Sequence, residues 1–213
     1  MLRLGCSGCL VVVVLVGLLA GAIWGVSQMA SSPEVPMAHG TPADGLRAQQ
    51  KIFDLIRRSG AGRPQTAALS EPEINAFLRR HLVAEGDVPL ENLGVRLLGG
   101  AQAEITGQIP ARQLLALPPF SALASILPER ALEQGVWVTL VTTVTVETGD
   151  AARGRRRARL DVQRFRLGRL PLPEILLRVL FDPSALRWLR WTPPQGIDDI
   201  QIEPGRLILR SRP

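Results

Sequence analysis

Few side chains in this chain are placed to do chemistry. Cys6 and Cys9 form a CxxC, the spacing of a redox disulfide or of half a zinc site. They are the only cysteines, no βαβ pattern surrounds them, and an apolar run follows them directly. A zinc site would need more Cys, and a lipoprotein cleavage site would need its apolar run before the Cys. The pair therefore reads as small, soft residues at the start of a helix. Two carboxylate pairs, Glu71/Glu73 and Asp198/Asp199, have the residue type of a general acid and base. Capping and turn chemistry explain both pairs. Of the two histidines, His39 falls in a linker and His81 at a helix end. Neither has the convergent donors that a triad or a metal needs. Ser59-Gly60-Ala61-Gly62 lacks the preceding strand and following helix of a phosphate loop. No catalytic residue, metal ligand or cofactor is assigned, and the chain reads as a non-enzyme.

Binding chemistry is more legible. The stretch 153–169 contains eight Arg and one Asp, a local charge of +7 against +6 for the whole chain. Arg155, Arg157 and Arg159 share one face of an expected strand, and Ala158, Leu160 and Val162 share the other. Nucleic acid would call for interleaved aromatics, which this run lacks. Anionic lipid headgroups or acidic envelope polymers fit better, and a charged, aggregation-resistant strand edge is the plain alternative. Arg187-Trp188-Leu189-Arg190-Trp191 is the second candidate, because Trp beside Arg suits a membrane interface or a partner surface. Trp188 and Trp191 are its interface residues, and burial of these rings under a sheet is the ordinary alternative.

The location of this chemistry follows from the N-terminus. Leu10 to Val26 is apolar or Gly throughout, and no charge falls between Arg3 and Glu34. At about 1.5 Å per residue this run covers roughly 26 Å, close to the roughly 30 Å of a bilayer core. Signal-peptide apolar regions are shorter, roughly 7–15 residues, and the best cleavage candidate, Gly25-Val26-Ser27, is weak. The expected organisation is a cytoplasmic N-terminus (1–9), a transmembrane anchor (10–28), a linker (29–42) and one exported domain (43–213). Arg3 and the N-terminal amine keep the N-terminus inside, so the domain lies outside the inner membrane. The exported part has no Cys and so no disulfide. Lys51 is the only lysine.

Within the domain, a first helix is expected over 43–58, with Leu46, Ile52, Phe53, Leu55 and Ile56 on its apolar side. Ser70-Glu71-Pro72-Glu73 is a capping box that opens a second helix, whose buried stripe is Ile74, Phe77, Leu78 and Leu82. Leu93 to Leu97 and Ala101 to Ile105 alternate around Gly99-Gly100, as in a hairpin. A short helix is expected over 121–127. A long strand, 136–147, carries Thr139, Thr143, Thr145 and Trp137 opposite its main apolar face. Its return strand slips phase after Val162, which predicts a β-bulge at Gln163-Arg164. Helices at 174–181 and 182–191 and a last hairpin turning at Pro204-Gly205 complete an α+β domain, in which a curved antiparallel sheet wraps around helices.

Several of these features resemble one group of proteins. Leu69-Ser70-Glu71-Pro72-Glu73-Ile74-Asn75, the later Leu167-Gly168-Arg169-Leu170-Pro171-Leu172-Pro173, and the terminal Gly205-Arg206-Leu207 look like the YpmS-like and YceB-like bacterial envelope proteins. The likeness covers roughly residues 66–210. It implies a fold reminiscent of the tubular lipid-binding (TULIP) group and an apolar or lipid ligand in a groove. On that reading, Ile74, Phe77, Leu78, Leu140, Val144, Leu160, Val162, Leu176 and Leu180 are the expected groove lining, although a plain core would use the same residues. The alternative function is a structural or adaptor domain that docks a protein partner or an anionic membrane through its Arg-rich hairpin.

Overall fold

The computed structural model describes residues 17, 21, 24, 27, 28, 31, 40–59, 64–83, 90–115, 135–148, 156–180 and 189–211. The described helices are α1 (Pro42–Arg58), α2 (Glu71–Leu78), α3 (Ala111–Leu115) and α4 (Ile175–Leu180), and a π-helical turn, Arg79–Val83, prolongs α2. The strands are β1 (Thr66–Ser70), β2 (Glu91–Gly99), β3 (Gln102–Pro110), β4 (Gly135–Thr148), β5 (Arg156–Leu167), β6 (Leu170–Leu172), β7 (Arg190–Trp191), β8 (Asp199–Glu203) and β9 (Arg206–Arg210). The fold is α+β, with antiparallel strand pairing throughout.

There are two sheets where the sequence suggested one. The larger has the order β2-β3-β4-β5-β6, with β7 also pairing with β5; the smaller has the order β1-β9-β8. Strand β1 was not foreseen. It is five residues long and precedes a strong capping box, so helix signals dominate that stretch. It places the start of the domain beside its last strand, with Leu69 opposite Leu207. Strand β6 lies between Gly168 and Pro173, a stretch whose glycine and prolines read as a strand break. Trp191, expected at a helix end, lies in β7 opposite Ala158.

The expected bulge is present. Val141 faces Arg164 and Thr142 faces Val162, which leaves Gln163 as the extra residue of β5. The apolar face of β5 is thereby kept continuous: Leu160 and Val162 before the bulge, then Phe165 and Leu167 after it. The first hairpin turns at Gly100-Ala101, both at positive φ (59° and 63°), one residue beyond the expected glycine pair. At the last turn Gly205 has φ 76°, as a type II turn after Pro204 requires.

Helix α1 starts on a capping box. The Thr41 N–H donates to Asp44 Oδ2 at 2.7 Å, and the Asp44 N–H donates to Thr41 Oγ1 at 3.3 Å. Leu46 and Phe53, expected on its apolar side, are 53% and 63% exposed. The reason is angular. Successive residues turn about 100° on a helix. Gly45, Ala48, Ile52, Leu55 and Ile56 share one face, and Leu46 and Phe53 flank it. Small residues choose that face: a Cβ on Gly45 would lie 3.3 Å from the Ala76 carbonyl carbon of α2. Close approach of the two helices therefore outweighs burial of the larger apolar side chains.

Two apolar clusters hold the domain together. One joins Leu93, Ile105, Ile109, Val138, Leu140, Phe165 and Leu167 of the larger sheet to Leu90 and to Leu177 of α4. The other joins Ala48 and Leu55 of α1, Leu69, Ile74, Ile197, Ile202 and Leu209 to Leu97 and Ala103 at one end of the larger sheet. Leu78 and Val95 touch both.

Among the described residues no helix is long and apolar enough to cross a membrane. The expected anchor at 10–28 lies largely outside the described residues. Those described within it, Gly17, Gly21, Trp24, Ser27 and Gln28, are helical, and a Cβ on either glycine would meet nothing within 4 Å.

Candidate functional site

The motif Leu69–Asn75 forms a clasp between the two sheets. Strand β2 is an edge strand, and its outward backbone groups need partners. Asn75 Nδ2 donates to the Val95 carbonyl at 3.0 Å, and Asn75 Oδ1 accepts from the Val95 N–H at 2.6 Å. Glu71 Oε1 accepts from the Leu97 N–H at 2.6 Å, and the Gly205 N–H donates to the Leu97 carbonyl at 3.0 Å. The polar residues of the signature thus close the sheet edge with side chains of α2.

Glu73 serves a second contact. Its carboxylate is buried and accepts from the Ser70 N–H at 2.9 Å, while Lys51 Nζ lies 2.8 Å from Oε1. Lys51 also donates to the Ala68 carbonyl at 2.9 Å, so the only lysine ties α1 to β1 and α2. Burial alone would push the Glu73 carboxyl up. The hydrogen bonds from Lys51 and Ser70, together with the Lys51 charge, more than offset it and hold the group below its ordinary value. Glu71 and Glu73 are therefore engaged in holding backbone and lysine. Asp199 accepts from Gln201 Nε2 at 3.0 Å. The His81 ring lies 4.5 Å from that of Phe77. Among the described residues no three His, Cys, Asp or Glu are grouped so as to hold a metal.

The inner face of the larger sheet carries four of the nine predicted groove residues, Leu140, Val144, Leu160 and Val162. Leu140 is buried at its centre, with Leu160, Val162 and Leu176 half-buried around it. Ile74, Phe77 and Val144 belong to the second cluster, and Leu78 touches both. The predicted lining is thus divided between two neighbouring clusters. Leu180 lies in α4, but its side chain is outside the described residues.

The outer face is basic. Thr145, Thr143, Val141 and Thr139 of β4 stand opposite Arg159, Asp161, Arg164 and Arg166 of β5. Glu104 of β3 bridges two arginines: Arg96 of β2, and Arg166 at 2.9 Å. Arg159 Nε contacts Asp161 at 2.5 Å. Arg157 and Arg159 are exposed. Arg155 and Trp188 lie outside the described residues, as does the Trp191 side chain. Arg190, which belongs to the second candidate stretch, is set by β7 directly opposite Arg159. Its own stretch was read as helix, and only the strand pairing reveals the juxtaposition. Trp137 is half-buried on this same outer face, opposite Gln108.

Compared with protein-family models, with curated proteins and with solved structures, the chain gives no match.

Proposed function

We propose that this chain is a single-pass inner-membrane protein whose exported, non-enzymatic domain holds a lipid or other apolar ligand against the inner face of its larger sheet. One observation carries the reading: apolar side chains on that face, Val144, Leu160 and Val162, with Leu176 of α4 beside them, stay half-buried next to a closed core. Half-covered carbon on a curved, bulged sheet favours an apolar guest. The likeness of the Leu69–Asn75 segment to YpmS-like and YceB-like envelope proteins supports the same reading, as does the apolar run at 10–26. The test is mass spectrometry of the protein purified from membranes. A bound lipid is expected in the native protein and is lost in Val162→Asp; native protein free of lipid overturns the reading.

A second reading is an adaptor that docks an anionic surface through its arginines. The direct opposition of Arg159 and Arg190 favours it: like charges facing each other across strands are destabilising, and Asp161, paired with Arg159, neutralises only one of the two.

A further inference from the structure

Gln28 meets the larger sheet at the β5–β6 turn. The Gln28 carbonyl accepts from the Arg169 N–H at 2.9 Å. Gln28 is helical, and helical carbonyls point along the axis toward the C-terminus, so this bond sets the turn on the C-terminal side of Gln28. From that turn β5 runs back to Arg156. At roughly 3.4 Å per residue it carries Arg157 about 30 Å away from the turn.

The outer face of that strand has more cations than local structure needs. Arg157, Arg159, Arg164 and Arg166 lie along it, with Arg190 on one side and Arg96 on the other. Among the described residues the acidic groups on the same face are Asp161, held by Arg159, Glu104, shared by Arg96 and Arg166, Glu147, opposite Arg157 in the ladder, and Glu91, opposite Gln108 at the far end of β2. Arg164 and Arg190 are exposed, and neither has an ion pair among the described residues. Edge protection explains only part of the row: Arg159 and Arg166 lie where β7 and β6 already pair with β5, at Ala158–Arg159 and Phe165–Leu167, and Arg157 and Arg164 lie outside those pairings. Alternate residues on a strand stand about 7 Å apart on one face, so the guanidinium groups form a line suited to a chain of anions. Among the described residues Trp137 is the only aromatic side chain on this face, which leaves no stacking platform for bases.

We propose that the arginine-bearing outer face of β5 and β7 binds an extended phosphate-bearing polymer beyond the anchoring bilayer, and not the headgroups of that bilayer. The proposal rests on the membrane-anchored reading above. The test uses the full chain in discs of neutral phosphatidylcholine, with inorganic polyphosphate as the probe. Saturable capture that weakens with salt is expected. The double variant Arg157→Glu with Arg190→Glu should lower affinity at least about ten-fold, against less than about three-fold for Arg57→Glu with Arg58→Glu on α1. No capture, or equal loss in the two double variants, overturns the proposal. In a second arm, fluorophores are placed at Arg157→Cys or Arg169→Cys on a Cys6→Ser, Cys9→Ser background, in discs containing anionic lipid. The Arg157 label should lie farther from the headgroups than the Arg169 label. Equal distances, or loss of polyphosphate capture when anionic lipid is added, overturn the proposal in favour of headgroup binding. Release of the chain from membranes by alkaline carbonate would instead mark failure of the anchor reading.

Discussion

The side-chain amide of Asn75 pairs with the backbone of Val95 as a neighbouring strand would, donating to its carbonyl and accepting from its N–H. With Glu71 on Leu97, one turn of α2 closes an open sheet edge. Asn75→Leu leaves both Val95 groups without these partners, and each unsatisfied group costs about 1–3 kcal/mol. A loss of about 2–6 kcal/mol is expected in urea unfolding. Asn75→Asp keeps the acceptor and loses the donor, so it should fall between Leu and the native residue.

Acid sensitivity should trace to Glu73. Its pKa is lowered in the folded protein, so its stabilisation is fully present above the unfolded value and is lost as pH falls through the folded one. Thermal melts should therefore show stability declining below about pH 4.5. Glu73→Gln should flatten that decline, and at pH 7 it should cost about 1.5–3 kcal/mol, the range for hydrogen bonds to charged groups. An unchanged acid limb in the variant would assign the decline to other carboxylates.

Ala101 occupies a left-handed position in the β2–β3 turn, at φ 63°. An L-residue there pays about 1–2 kcal/mol, and Gly pays little. The unfolded chain of a Gly variant gains some entropy in return. Ala101→Gly is expected to stabilise by about 0.5–1 kcal/mol, read as a rise in the urea midpoint with unchanged slope. A fall in the midpoint would contradict the turn assignment.

Gly107 lies on the inner face of β3, under Leu90. A Cβ there would come 2.8 Å from the Leu90 Cβ. Gly107→Ala should destabilise by about 1–3 kcal/mol through overpacking. Adding Leu90→Ala to this variant should recover part of the loss, measured as non-additivity in a double-mutant cycle.

Local signals in the sequence determined much of this protein. Capping chemistry marked the start of α2 at Ser70-Glu71-Pro72-Glu73, two-residue alternation marked β2 to β5, and a single phase slip marked the bulge at Gln163. Each depends on neighbours within a few positions, so the residue order is enough to show it. Tertiary structure alone decided the rest. Strand β1 exists because β9 pairs with it from about 140 residues away. Leu46 and Phe53 face outward because Gly45 and Ala48 let α1 approach α2 more closely. Arg190 reaches Arg159 only through the pairing of β7 with β5, and Glu71 and Asn75 find their backbone partners only when α2 lies along β2. These contacts join distant segments, and their free energy depends on which surfaces meet, a choice that no local pattern encodes.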